Sequence, residues 1–158
     1  MKLKKIKVRR EVVRCTQCGK ANALFYLSDF LYGEKLIIYD EGRKYAFIDL
    51  KEDSVYNEFI ALLSKIMLEH GKYAENMLID DLFSITCDPI LNYSINFGSN
   101  KRKCIFCDSY VFEADLLEPE KIVEIEVPIV THEIWKRLNS IQKRKRIEDT
   151  LRNRGVIK

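Results

Sequence analysis

Short runs of β-branched, aromatic and alternating apolar residues predict strands in the first third of the chain. These runs cover residues 5–14, 23–27, 35–39 and 45–50. In the first run Ile6 and Val8 alternate with charged residues, which is the period of a strand with one buried face. The last two runs flank a short turn that contains Gly42, and this arrangement predicts a β-hairpin.

After residue 53 the spacing of the apolar residues changes to that of a helix. Apolar side chains recur three and four positions apart over residues 54–70, so they share one face of a helix that Asp53 or Ser54 can cap. This face comprises Val55, Phe59, Leu62, Leu63, Ile66 and Met67. A weaker helix is expected over residues 74–86, with Met77 facing inward.

Strands and then helices are expected in the last part of the chain. Strand-like runs cover Tyr93–Phe97, 109–114 and 121–127, with a turn at residues 98–100. Thr131 can cap a short helix that holds Trp135, and a last helix is expected over residues 141–153 after a break at Asn139-Ser140.

Two cysteine doublets stand among the predicted strands, Cys15-Thr16-Gln17-Cys18 and Cys104-Ile105-Phe106-Cys107. Two intervening residues let a tight turn direct both sulfurs at one ion, and Gly19 suits the positive φ that often follows such a turn. The spacing therefore predicts one structural zinc ion bound by Cys15, Cys18, Cys104 and Cys107. Iron takes the same ligand set, and a pair of redox dithiols is a further alternative.

Cysteine doublets flanked by strands resemble the zinc-ribbon class, and this resemblance implies a four-cysteine metal site with a binding or structural role. The predicted fold is α+β, with one domain over residues 1–158. A discontinuous zinc-ribbon-like β module would comprise residues 5–27 and 93–114. Residues 28–92 would form an insertion with the hairpin and two helices, and residues 121–155 a C-terminal strand and helices.

Charge is distributed unevenly along the chain. The formal net charge is +3, yet residues 1–20 and residues 136–158 each carry a net +7, so the part between them carries −11. Such asymmetry is typical of a nucleic-acid-binding surface, or of basic ends that fold back on an acidic body.

Cations near both doublets would converge on one surface if the doublets share a metal ion. Phe106, between the sulfurs of the second doublet, could then stack on a base while the cations contact phosphates. The predicted nucleic-acid-binding residues are Arg9, Arg10, Arg14, Lys20, Lys101, Arg102, Lys103, Phe106, Lys143, Arg144, Lys145 and Arg146. The side chains of residues 101–103 are all expected on the surface. In the alternative explanation, the cations offset the negative thiolates and the basic helix is a solvated face.

No motif of a known catalytic site is present in the sequence. The six glycines are too scattered for a phosphate-binding loop. Cys87 could form a nucleophilic pair with His70 or His132, but a small buried residue at a helix end is the expectation, and we expect no enzymatic activity.

The sequence therefore predicts a non-enzymatic, zinc-stabilised binding protein that contacts DNA or RNA. The alternative is a protein–protein interaction module, such as an inhibitor, immunity or adaptor protein, that uses the acidic helices of residues 54–86. No run of 18 apolar residues predicts a membrane span. An odd number of cysteines, five, and no apolar segment after the basic start indicate a cytoplasmic location.

Overall fold

A computed structural model of the chain describes residues 1–29, 31–97 and 101–158, and it shows an α+β protein with antiparallel sheets and helices. The turn expected at residues 98–100 lies outside the described residues. Packing groups the chain into two compact units. Unit 1 comprises Met1–Asp49 and Ser99–Ile129, and unit 2 comprises Leu50–Gly98 and Val130–Lys158. The prediction of a single domain stays a prediction.

The strands and both cysteine doublets belong to unit 1. Its strands are β1 (Leu3–Cys15), β2 (Ala21–Leu27), β3 (Glu34–Tyr39), β4 (Lys44–Asp49), β5 (Phe112–Leu116) and β6 (Lys121–Pro128). The long strand β1 is central, because it pairs antiparallel with β2 on one side and with β6 and β5 on the other. Strands β3 and β4 form the predicted hairpin.

The alternating pattern of β1 explains how the hairpin packs in unit 1. Ile6 and Val8 are buried on one face of β1 and form an apolar cluster with Phe47 of the hairpin and Val127 of β6. Burying such side chains removes apolar surface from water and holds the hairpin in the same unit as the doublets. The sequence alone grouped the hairpin with the helical insertion.

Gly42, in the hairpin turn, lies against the segment that enters the second doublet. Its φ is +92°, and an added Cβ would lie 2.7 Å from the Lys101 carbonyl oxygen and 2.9 Å from the Lys103 nitrogen. We expect Gly42→Ala to lower the free energy of unfolding by about 2–3 kcal/mol, because a left-handed conformation and a backbone clash act together.

Gly71 provides the control for this substitution. Its φ is +69°, but no atom lies within 4 Å of the added Cβ. Gly71→Ala should therefore show only the conformational cost of about 1 kcal/mol. Urea titration of both variants measures the difference, and equal losses would contradict the role of the contact with Lys101 and Lys103.

The helices belong to unit 2. They are α1 (Ser54–Glu69), α2 (Asn76–Phe83) with a 3-10 turn at Ser84–Thr86, α3 (Glu133–Lys136) and α4 (Ser140–Asn153). Their core holds the rings of Phe59, Phe83 and Trp135, with Phe59 5.5 Å from Phe83 and 6.2 Å from Trp135 between centroids. Among the described residues, no helix combines the length and the apolar character needed to cross a membrane.

Side chains cap α1 and α4 much as the sequence predicts. Asp53 accepts hydrogen bonds from the backbone nitrogens of Val55 and Tyr56 at 2.9 and 3.1 Å, so it is the N-cap of α1. Asn139 and Gln142 form a reciprocal capping box at the start of α4. These local signals place both helix starts within a residue of their predicted positions.

The strand expected at Tyr93–Phe97 is wrong. Within these described residues, Tyr93 makes only an isolated bridge with Ile90 and no strand follows. The chain reverses its direction between Ile90 and Tyr93, because Leu91 and Asn92 adopt left-handed conformations with φ of 49° and 69°.

The expected inward orientation of Met77 is also wrong. Met77 is 85% exposed, whereas Ile79, Leu82 and Phe83 are the buried residues of α2. The ring of Phe83 lies 5.0 Å from that of Tyr56 of α1. Packing of Phe83 against α1 therefore sets the face that α2 buries, and that face leaves Met77 in solvent.

Candidate metal centre

The two cysteine doublets meet in unit 1, as the sequence predicts. The sulfur atoms of Cys15, Cys18, Cys104 and Cys107 all lie within 4.8 Å of one another. Two of the distances that join the doublets are 3.5 Å, from Cys15 to Cys107, and 3.6 Å, from Cys18 to Cys104. Sulfurs bound tetrahedrally at about 2.3 Å from zinc are roughly 3.8 Å apart. The cluster therefore has the dimensions of a site for one four-coordinate metal ion.

The same turn builds both halves of the cluster. In the first, the Cys15 nitrogen donates to the Lys20 carbonyl oxygen at 2.9 Å, and Gly19 has a φ of +74°. In the second, the Cys104 nitrogen donates to the Ser109 carbonyl oxygen at 2.7 Å, and Asp108 has a φ of 65°. The left-handed residue follows the first cysteine by four positions in each turn. We call these turns the first and the second knuckle.

The knuckles differ in what leads into them. Strand β1 ends at Cys15, so the first knuckle follows the sheet without an intervening loop. No strand leads into the second knuckle in the described residues 91–97 and 101–103. Two backbone hydrogen bonds hold it instead: the Lys103 nitrogen donates to the Gly42 carbonyl oxygen, and the Thr16 nitrogen donates to the Val111 carbonyl oxygen. The Thr16 hydroxyl donates a second hydrogen bond to the same Val111 oxygen.

The electrostatics of the cluster favour a bound cation. Burial alone would raise the pKa of Cys104, but hydrogen bonds from backbone N–H groups and from the Asn22 amide lower this pKa to about 6. The Ser109 backbone lowers the pKa of Cys107, yet burial and the neighbouring sulfurs outweigh it and raise this pKa to about 12. Four thiolates so close together repel one another, and a divalent ion removes that conflict.

Asn22 is the site residue that the sequence does not reveal. It lies in β2 and is only 3% exposed. Its amide nitrogen donates to the Cys104 sulfur at 3.3 Å, and its amide oxygen accepts from the Ile105 nitrogen at 3.0 Å. Asparagine is disfavoured within strands, and this is the one signal in the sequence that could have drawn attention to it.

Most of the predicted basic residues near the knuckles are paired with carboxylates of unit 1. The pairs join Arg9 to Glu120 at 3.4 Å, Arg10 to Glu118 at 2.5 Å, Arg14 to Glu113 at 3.7 Å and Lys103 to Glu41 at 3.1 Å. Each ion pair reduces the positive electrostatic potential that a phosphate of a bound nucleic acid would meet.

The side chain of Arg102 is bound within unit 1. Its Nε and Nη2 atoms donate to the Phe25 carbonyl oxygen at 3.1 and 2.7 Å, and its guanidinium lies 3.8 Å from the centre of the Tyr26 ring. The side chain of Lys103 is only 12% exposed. The expectation that residues 101–103 all lie on the surface is therefore wrong for Arg102 and Lys103, because both side chains are used to hold unit 1 together.

The side-chain nitrogens of two lysines near the knuckles lie over exposed aromatic rings. The Lys20 Nζ atom is 4.6 Å from the centre of the Phe106 ring, and the Lys101 Nζ atom is 5.8 Å from that of Tyr110. Phe106 is 53% exposed and Tyr110 is 47% exposed. Ile105 and Val111, which are next to these rings in the sequence, are exposed as well. We call the surface formed by these residues the knuckle tip: Lys20, Lys101, Ile105, Phe106, Tyr110 and Val111.

The basic residues of α4 lie in unit 2, where most of them are paired with acids. Arg144 contacts Glu69 and Glu148, and Arg146 is exposed. The other pairs join Lys143 to Glu58 at 2.7 Å and Lys145 to Asp149 at 3.4 Å. The basic end thus folds back on the acidic helix α1, which is the second explanation that the charge asymmetry allowed.

Cys87 and His132 belong to unit 2, and each contacts the Thr86 hydroxyl, with the Cys87 sulfur 3.9 Å from it. Burial raises the pKa of the Cys87 thiol to about 12, so its thiolate is scarce at neutral pH. His132 is 4% exposed; its Nε2 lies 2.6 Å from the Asp53 carboxylate, and its Nδ1 lies 3.1 Å from the Thr86 hydroxyl. The partners shown for the imidazole are therefore Asp53 and Thr86 rather than the Cys87 thiol.

Comparison of the chain with models of known protein families, with curated proteins and with solved structures finds no match. The interpretation of the site therefore rests on its own residues and their geometry.

Proposed function

We propose that the chain is a non-enzymatic binding protein, stabilised by one zinc ion, that contacts nucleic acid through the knuckle tip. Zinc is the proposed metal because four thiolates in a closed tetrahedral arrangement are a ligand set of structural zinc sites. Iron accepts the same ligands, so elemental analysis of the purified protein distinguishes the two metals. When bound, the ion would hold the two knuckles together.

The observation that carries the nucleic-acid proposal is the pairing of exposed rings with lysines at the knuckle tip. The cation of Lys20 lies over the ring of Phe106 and that of Lys101 over the ring of Tyr110, so a base would stack on the opposite face of each ring while the cation contacts a phosphate. Stacking on aromatic rings and phosphate neutralisation are the two interactions by which proteins bind single strands. We leave the basic residues of α4 out of the proposed surface, because most of them pair within unit 2.

We expect Phe106→Ala to weaken binding of a labelled single-stranded DNA or RNA by roughly 5- to 150-fold, since loss of one stacked base costs about 1–3 kcal/mol. Lys20→Ala should make the plot of log affinity against log salt concentration shallower by about one unit of slope, which corresponds to the loss of about one phosphate contact. Fluorescence anisotropy at two salt concentrations measures both effects. Lys145→Ala is the control, because Lys145 is paired with Asp149 on α4. Absence of binding by the unmodified protein at low salt would refute the nucleic-acid proposal.

A protein partner at the same tip is the second candidate function. Ile105 is 61% exposed and Val111 is 60% exposed, and exposed apolar side chains of this size are often used in protein contacts. The acidic face of α1 is a weaker candidate than the sequence indicates, because Lys143 and Arg144 already contact Glu58 and Glu69. A failed titration with nucleic acid would favour this candidate, an inhibitor, immunity or adaptor role included.

A further inference from the structure

Asn22 connects the two knuckles from a buried position. The pairing of β2 with β1 places it opposite Val13, two residues before the first cysteine. Its amide nitrogen lies 3.3 Å from the Cys104 sulfur and 3.2 Å from the Lys20 carbonyl oxygen, and its amide oxygen accepts from the Ile105 nitrogen at 3.0 Å. One side chain therefore contacts the end of the first knuckle and both the sulfur and the backbone of the second.

We propose that Asn22 is the positioning residue of the metal centre. It holds the second knuckle in place before the metal binds, and its N–H group donates a hydrogen bond to a metal-bound sulfur afterwards. The second knuckle needs such support in addition to the backbone hydrogen bonds of Lys103 and Thr16, because no strand leads into it in the described residues 91–97 and 101–103. Asn22 can supply it because a paired strand and near-complete burial restrict the side chain to one orientation.

The physical consequence concerns how long the metal stays bound. An N–H···S bond stabilises the thiolate form of Cys104, and the bond to the Ile105 nitrogen keeps that sulfur directed at the ion. Substitution of groups that orient metal ligands in this way typically lowers metal affinity by about 10- to 100-fold. Asn22 should therefore slow the release of the metal although it is not a ligand.

Two substitutions of Asn22 distinguish the effect of the hydrogen bond that it donates to Cys104 from the effect of the one that it accepts from Ile105. Asn22→Asp keeps an oxygen for the Ile105 nitrogen but replaces the donor to Cys104 with a carboxylate oxygen. Asn22→Leu removes both hydrogen bonds while it retains a similar shape. We expect zinc transfer to a chromophoric chelator to be about 10- to 100-fold faster in both variants, and fastest in Asn22→Asp because its carboxylate faces a thiolate.

Thr16→Val is the matched control. The Thr16 hydroxyl also joins the two knuckles, through the Val111 carbonyl oxygen at 3.0 Å, but this bond involves no sulfur. The substitution does not remove the hydrogen bond from the Thr16 backbone nitrogen to the same oxygen, at 3.1 Å. Its zinc release should stay within about threefold of that of the unmodified protein. Release from both Asn22 variants at the unmodified rate, or equal acceleration by Thr16→Val, would overturn the proposal.

A second measurement needs no substitution and so does not depend on the folding of the variants. In isotopically labelled protein loaded with NMR-active cadmium, the side-chain amide protons of Asn22 should show scalar coupling to the metal through the Cys104 sulfur. The Phe106 backbone amide, whose nitrogen lies 3.4 Å from the same sulfur, provides the internal positive control. Coupling from Phe106 without coupling from Asn22 would overturn the proposed hydrogen bond to the metal-bound sulfur.

Discussion

Replacing Cys104 by Ser is expected to lower the melting temperature of the metal-loaded protein by roughly 10 °C or more. A hydroxyl is a poor substitute for a thiolate ligand, and free energy of metal binding at a structural site adds to the free energy of folding. The bound ion closes the loop of residues 19–103, so it also restricts the unfolded chain. Cys104 itself is fully buried. The loss should therefore extend through unit 1 and not stop at the second knuckle.

Thermal denaturation followed by circular dichroism, with and without a chelator, measures this effect. Chelation of the unmodified protein should produce a similar fall, and it should add little to the fall caused by Cys104→Ser, because both act on the same site. Cys87→Ala is the control, since Cys87 belongs to unit 2 and is not one of the four clustered cysteines, so its replacement should leave the metal content unchanged. A melting curve unaffected by Cys104→Ser would show that unit 1 folds without the metal.

Replacing Asp53 by Ala is expected to lower the free energy of unfolding of unit 2 by about 3–5 kcal/mol. The Asp53 carboxylate lies 2.6 Å from the buried His132 ring and also caps α1. Removing it leaves the His132 Nε2 and the first backbone N–H groups of α1 without their acceptor, which is more costly than the loss of a solvated ion pair. Asp53→Asn should be less damaging by about 1 kcal/mol, because an asparagine oxygen still caps a helix.

The same carboxylate predicts a sensitivity to acid. Burial raises the pKa of Asp53, but the hydrogen bond to His132 and those from the α1 backbone outweigh it and place the pKa below its ordinary value of 3.8. The folded protein therefore binds this proton less readily than the unfolded chain does. The resulting stabilisation is complete above the ordinary pKa and is lost as the pH falls through the lowered pKa.

Urea unfolding at a series of pH values from neutral to about 3 tests this linkage. Stability of the unmodified protein should fall at the acid end, and Asp53→Asn should show a shallower fall. Some acid dependence will remain in that variant, because the pKa of Asp88 is also lowered: burial opposes the shift, but Thr131 and the backbone of α3 donate to this carboxylate. If the stability of Asp53→Asn fell at acidic pH as steeply as that of the unmodified protein, Asp53 could not be the source of the acid sensitivity.

The features that could be predicted from the amino-acid sequence are those that depend on residues close together in the chain. The period of apolar residues locates α1, and Asp53 marks its start. The spacing within each doublet, with Gly19 after the first, identifies the four cysteines that the structure brings together. These predictions succeed because a helical face, a cap and a two-residue turn are set by neighbouring side chains, whatever the rest of the chain does.

Tertiary structure alone decided which side chains meet across long distances in sequence. Glu58 and Lys143 are 85 positions apart, and their pairing turns a basic helix that resembles a nucleic-acid surface into a partly neutralised one. Asn22 and Cys104 are 82 positions apart, so no local pattern marks Asn22 as part of the metal centre. The burial of Phe83 rather than Met77 likewise depends on where α1 packs. Charge partners and buried amides have no periodic signature, since their energies depend on the three-dimensional neighbourhood that the whole chain creates.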